Sequence, residues 1–207
     1  MSNFKSLVSG VGNLNKTSKY YDDWSENYDK TVKLWNYQAP KKSIKFLKKN
    51  ITIKPKKILD LACGTGLFGI ELKKIYPKSN IYGSDISKKS LKISSGKKIY
   101  IKLKNKNFEE LHNYNTKFDL ISLIGSMTYC KNFKKLFANI NKNIKKKGFV
   151  LFTHRVDLWK QQDFFNILQT YQKTFKITKI SRPLNYLPLN KDFKSKIKIK
   201  IVLLQKY

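Results

Sequence analysis

The sequence predicts an α/β fold: a seven-stranded, mostly parallel sheet whose last strand runs antiparallel. Three observations predict it. From residue 57 onward short apolar runs alternate with amphipathic stretches, the pattern of strand and helix repeated in one sheet with helices on both faces. The first apolar run ends in Cys63-Gly-Thr-Gly66, a turn that passes directly into helical spacing. The last two runs have no helical stretch between them, so they pair as an antiparallel hairpin.

Each element has its own signal. Residues 20–29 set Tyr20, Trp24 and Tyr28 at i, i+4 and i+8, one face of a short helix. A second helix over 38–49 carries Pro40 in its first turn and turns Ile44 and Leu47 inward. Residues 1–50 therefore form an N-terminal arm with lid helices, part of the same domain as the sheet-bearing residues 51–207. Strands follow at 58–62, 81–83, 99–103, 118–124 and 149–153, with helices at 67–76, from the Ser87 cap to about Gly96, and at 133–145. A helix over 159–171, a strand at 175–180, a turn-rich segment and a strand at 196–204 complete the chain. In the last strand Ile197, Ile199 and Ile201 alternate with lysines, as one buried and one wet face require.

Composition bounds the function. The 207 residues, 41% hydrophobic, suit one buried core. No run of 18 apolar residues occurs and the first twenty residues lack a signal-peptide core, so a soluble, cytoplasmic protein is expected. Cys63, Cys130, His112 and His154 show no metal-ligand spacing, and no metal is expected. The net charge of +31 suits a polyanion partner, but Arg155 and Arg182 are the only arginines and the lysines are scattered along the chain. Nucleic-acid readers favour Arg for bidentate contacts, so solvated helix faces and compositional drift explain most of the lysine. Nothing in the pattern fixes an oligomeric state.

Chemistry concentrates in two places. Gly64, Gly66 and Gly69 satisfy the dinucleotide pattern G-x-G-x-x-G, but Asp60, four residues before Gly64, would repel a diphosphate and suits a ligand with a cationic amino group. Asp85 ends the second strand 19 residues after Gly66, where a carboxylate accepts both ribose hydroxyls of an adenosine. Together they select a nucleoside that carries an ammonium and no phosphate, a description that fits S-adenosylmethionine.

Asp60-Leu-Ala-Cys-Gly-Thr-Gly66 and Gly83-Ser-Asp-Ile86 resemble the first two motifs of the class I, Rossmann-like S-adenosylmethionine-dependent methyltransferases. Tyr21-Asp-Asp-Trp-Ser-Glu-Asn-Tyr-Asp29, with Tyr37-Gln-Ala-Pro40, is similar more narrowly to the methyltransferase-like family named for the Williams-Beuren deletion region. The resemblance implies that Asp60 and the turn Ala62, Cys63, Gly64, Thr65 and Gly66 hold the amino-acid end of the cofactor, and Asp85 and Ile86 its ribose and adenine. Asn107 followed by Phe108 stands where an acid ordinarily meets the adenine amine, so that contact is expected to be altered. Gly125 and Ser126 would line the methyl's path, and Tyr21 and Tyr28 would close over the cofactor.

Methyl transfer from a sulfonium depends chiefly on positioning and water exclusion, and a base is needed only for a protonated nucleophile. His154, at the end of the fifth strand, is the candidate base, and Arg155, Arg182 and Tyr186 are candidate substrate contacts at the same end of the sheet. The Asn/Asp-Pro-Pro-Tyr/Phe signature of base and glutamine amine methylation is absent after the fourth strand, where Gly125-Ser-Met-Thr-Tyr129 stands, and no Pro-Cys nucleophile occurs. A small-molecule oxygen or nitrogen nucleophile is the leading expectation. An RNA-directed methyltransferase would instead show a lysine stripe beside the cleft, and a cofactor-binding protein without catalysis would fill the space beyond the sulfonium. A nicotinamide oxidoreductase is a further alternative.

Overall fold

The computed structural model describes residues 13–193 and 196–207; the first twelve residues of the expected N-terminal arm lie outside them. Helix α1 runs Leu14–Leu34, longer at both ends than expected, because Asn13 accepts hydrogen bonds from the N–H groups of Asn15 and Lys16 and so starts the helix earlier. Helix α2 follows over Ala39–Asn50. The alternating part then runs β1 Lys57–Leu61, α3 Leu67–Ile75, β2 Asn80–Asp85, α4 Lys88–Gly96, β3 Tyr100–Asn105 and β4 Phe118–Leu123. A single 3-10 turn at Met127–Tyr129 leads to α5 Phe133–Asn143 and β5 Ile144–Arg155. The chain ends in α6 Val156–Gln161, α7 Phe164–Thr170, β6 Phe175–Ile180, β7 Leu184–Asn185 and β8 Lys198–Lys206.

The sheet order is β3-β2-β1-β4-β5-β8-β6, with the two-residue β7 pairing off this path on β8. Pairings up to β5 are parallel, and β8 is antiparallel to β5, β6 and β7. The expected seven strands and reversed last strand are therefore present, with β7 as a small addition. Order reverses between β1 and β4, the switch point outside whose carboxyl ends open α/β sheets bind ligands.

Alternate residues feed the two faces of the sheet. On β5 and β8, Leu151, Ile201 and Leu203 join Ile58 and Leu120 in the cluster under α2 and α3. Val150, Phe152, Val202 and Leu204 join Leu59 and Leu61 in the cluster under α5, α6 and α7. A single expected helix over 159–171 is broken in two. Asp163 adopts φ +47°, and its carboxylate accepts from Asn166 Nδ2 at 2.6 Å. The break turns Phe164, fully buried, onto Phe152 and Trp159. Strand β5 starts five residues earlier than expected, since Ile144 pairs with Phe118 before an irregularity at Lys147, φ +58°.

Candidate active site

Asp60 sits at the end of β1 opposite Ser122 of β4. Its side chain is 1% exposed, with Oδ1 accepting from Ser122 Oγ and Oδ2 from the Tyr100 hydroxyl, each at 2.8 Å. Burial pushes the carboxyl up to about 7, against the pull of those two hydrogen bonds. Asp85 at the end of β2 accepts from the N–H of Gly64 and from the N–H of Ser87, both at 2.8 Å. Burial raises it to about 6, and the backbone N–H groups hold it from rising further.

Between the two carboxylates the chain turns with Ala62, Gly64 and Gly66 all at positive φ, 52°, 54° and 91°. Only glycine adopts this region freely, so Ala62 is held there by its neighbours. A Cβ at Gly64 would meet nothing within 4 Å, which leaves open space beside the turn. Gly66 is the N-cap of α3.

Helix α1 lies across this turn, pinned by acids that sequence reasoning did not single out as site residues. Asp29 accepts from the Thr65 hydroxyl and pairs with Lys97, both at 2.6 Å. Asp22 accepts from the Ser87 hydroxyl at 2.7 Å and from the N–H of Lys89 at 3.0 Å, at the start of α4. The only hint was their place within the stretch Tyr21 to Asp29. Tyr21 and Tyr28 face the cleft as expected, with the Tyr21 hydroxyl 2.7 Å from that of Tyr129.

The cleft measures about 910 Å³ with its open mouth and takes in Ala62, Asp85, Ile86, Phe108, Gly125, Ser126, Arg155 and Tyr186 of the expected residues. Asp60, Cys63 and Thr65 line a smaller cavity that shares Tyr28, Tyr37, Ala62 and Ile124 with it. The smaller cavity is where an amino-acid end would lie. Ser126 Oγ is buried, lines the cleft and has no hydrogen-bond partner among the described residues. Two buried acids, an open glycine turn and an unpartnered hydroxyl fit a nucleoside with a cationic end.

Three expected residues are placed elsewhere. His154 is 1% exposed and lies among Phe133, Trp159 and Phe164, with Nε2 3.0 Å from Gln162 Oε1. Burial depresses its pKa to about 4. Its parity with Val150 and Phe152 sends it to the core face of β5, a signal readable from alternation alone. Arg182 is exposed and lines no part of the cleft. Asn107 is turned away: its Oδ1 accepts from the N–H of Glu109, and it lines an adjoining cavity that shares Ile86, Phe108 and Tyr129 with the cleft. Arg155 is in place but bound, forming two hydrogen bonds to Asp157 and stacking over Phe193 at 4.9 Å.

Among the described residues no group of three His, Cys, Asp or Glu side chains could hold a metal, and no helix is long and apolar enough to cross a membrane.

A sheet in this order, with a glycine turn between two carboxylates at its switch point, defines the class: a Rossmann-like methyltransferase fold. The chain belongs to the methyltransferase domain family, whose profile matches residues 32–171. It is similar to the malonyl-[acyl-carrier protein] O-methyltransferase of Legionella pneumophila, 26% identical over 144 residues, which are 67% of this chain and 49% of that one. It is also similar to human methyltransferase-like protein 27, 36% identical over 66 residues covering 31% and 27% of the two chains. The chain thus spans about half or less of the length of these relatives. In fold it is similar to the plantazolicin methyltransferase BpumL bound to SAH, with a TM-score of 0.64 at 12% identity, covering 97% of this chain and 93% of that one.

Proposed function

We propose that this protein is an S-adenosylmethionine-dependent methyltransferase that methylates an oxygen or nitrogen nucleophile of a small molecule. The pair Asp60 and Asp85, buried on either side of the open glycine turn, carries the reading. Asp60 would receive the cofactor's ammonium and Asp85 its ribose hydroxyls, with Ile86 and Phe108 against the adenine. When bound, S-adenosylmethionine supplies a methyl group already activated by its sulfonium. What remains for the chain is to hold the acceptor in line and exclude water. Tyr21, Tyr28, Tyr129 and Tyr186 do this from the lid and the far wall.

The cleft continues past Gly125 and Ser126 to Arg155, Tyr186 and Phe193, which supports catalysis over binding alone. Among the described residues no side chain lining that end takes a proton at neutral pH: burial raises the tyrosines, Tyr186 to about 12, and His154 is absent from the wall. The acceptor therefore attacks without first giving up a proton to the protein, as a carboxylate or as a neutral amine that sheds its proton to water after transfer. The O-methyltransferase named for malonyl-[acyl-carrier protein] supports oxygen, and Arg155, held by Asp157, is a cation on the wall that such an anion would meet.

The test is transfer of labelled methyl from S-adenosylmethionine to a panel of carboxylic acids and amines, beside SAH titration of wild type and Asp85→Ala. Expected are saturable SAH binding lost in the variant and an alkali-labile ester product. An alkali-stable product would move the acceptor to an amine, and no SAH binding by the folded protein would sink the reading.

A further inference from the structure

Asp60 is two strands away from the residue that holds its Oδ2. Tyr100 opens β3, and β2 lies between β3 and β1. The ring can cross β2 only because Gly83, which pairs with Asp60, has no side chain: a Cβ there would come within 2.9 Å of Tyr100 Cδ1. From above, a Cβ at Gly69 of α3 would collide with the Tyr100 hydroxyl, and one at Gly66 would lie 3.2 Å from Cε2. Three glycines, two at the start of α3 and one in β2, thus leave a slot shaped to one phenol. Its hydroxyl emerges 2.8 Å from Asp60.

Resting on the methyltransferase reading, we propose that Tyr100 positions Asp60 for the cofactor's ammonium, by donating a hydrogen bond to Oδ2 through the slot made by Gly66, Gly69 and Gly83. A neutral donor suits this place. A Lys or Arg would neutralise the acid and repel the ligand's ammonium, whereas a phenol holds the carboxylate in one orientation and leaves its charge. Asp60 faces Ser122 from β4, Tyr100 from β3, Asp85 from β2 and Cys63 from the turn, with Tyr28 and Tyr37 on the lid side. Of these only Tyr100 and Ser122 donate to it. Cys63 also lies beside the Tyr100 hydroxyl, and burial keeps the phenol from ionising. Removing it withdraws stabilisation from the ionised carboxylate and raises the pH at which the ammonium can be bound.

The experiment compares wild type, Tyr100→Phe and Gly69→Ala in two measurements. The first is the carboxyl 13C titration of Asp60 in the ligand-free protein, assigned with Asp60→Asn. The second is SAH affinity from pH 6 to 8.5. Both variants are expected to move the Asp60 midpoint up by about one pH unit, with SAH binding about fivefold weaker at pH 7 and converging with wild type by pH 8.5. A loss of affinity uniform across the pH range, with the Asp60 midpoint unmoved, overturns the proposal and leaves Tyr100 a packing residue. Gly69→Ala displaces the hydroxyl while keeping Tyr100, so it decides the matter if Tyr100→Phe fails to fold. Absence of SAH binding by wild type overturns the methyltransferase reading and this proposal together, while an unmoved midpoint beside normal wild-type binding overturns this proposal alone.

Discussion

Buried carboxyl and imidazole groups bind protons with opposite consequences for stability. Asp60 loses its proton near 3.8 when exposed and near 7 when folded, so the folded state holds the extra proton in between. Its contribution is complete below pH 3.8 and lost as pH rises through 7, at up to about 1.4 kcal/mol per pH unit. Asp85, raised to about 6, acts in the same direction. His154 is depressed from 6.5 to about 4, so its contribution is complete above 6.5 and lost as pH falls through 4. Urea unfolding at stepped pH should show Asp60→Asn moving the pH of greatest stability upward and His154→Gln moving it downward. His154→Gln should also leave methyl transfer within about threefold, since it touches no part of the cleft; identical profiles for all three proteins would contradict these assignments. Asp60 and Asp85 were legible because both their spacing from the glycine turn and their chemistry are local in sequence. Tyr100, Asp22 and Asp29 were not, because each acts across a gap of 36 to 68 residues that only the tertiary fold closes.

Helices and strands were legible to within a few residues wherever a cap or a parity marked them. Ser87 starts α4 by accepting from the N–H of Ser90, and the isoleucine and lysine alternation of β8 pairs it with β5 and β6. The break between α6 and α7 carried no Gly or Pro, and periodicity runs through it. It exists because Phe164 gains burial against Phe152 and Trp159, a tertiary demand that overrides a local pattern. Aspartate tolerates the left-handed region better than most residues, and β-branched residues barely at all. Asp163→Gly is accordingly expected to keep its stability to within about 0.5 kcal/mol in denaturant unfolding, while Asp163→Val should lose about 1–2 kcal/mol. Equal losses would mean that the Asn166 contact, and not the backbone, sets the break.

Across the whole molecule the lysines have places that the composition alone does not give. The two outer strands carry them: Lys102 and Lys104 on β3, Lys176 and Lys179 on β6. Charged side chains on exposed edges discourage pairing with a second sheet, so part of the +31 keeps the sheet closed to others. Binding to homopolymer RNA should then be a bulk charge effect, present at 50 mM salt, falling by about 10³ or more by 200 mM, and without influence on SAH affinity. Competition between RNA and SAH at 200 mM salt would instead favour an RNA acceptor. The mostly parallel sheet followed from the alternation of elements, and reversal of the last strand from the missing helix before it. The charge distribution did not, because it depends on which strands end up outermost.

The slot around Tyr100 also constrains how this sequence can change over generations. A methyl at position 69 and a phenol at position 100 occupy the same space, so neither can be altered first without a cost to the other. Substitutions at 69 and 100 are therefore expected to be inherited together, and a lineage that loses the tyrosine frees Gly69, while Gly83 stays hemmed in by Leu103 and Cys63 and Gly66 by its φ of +91°.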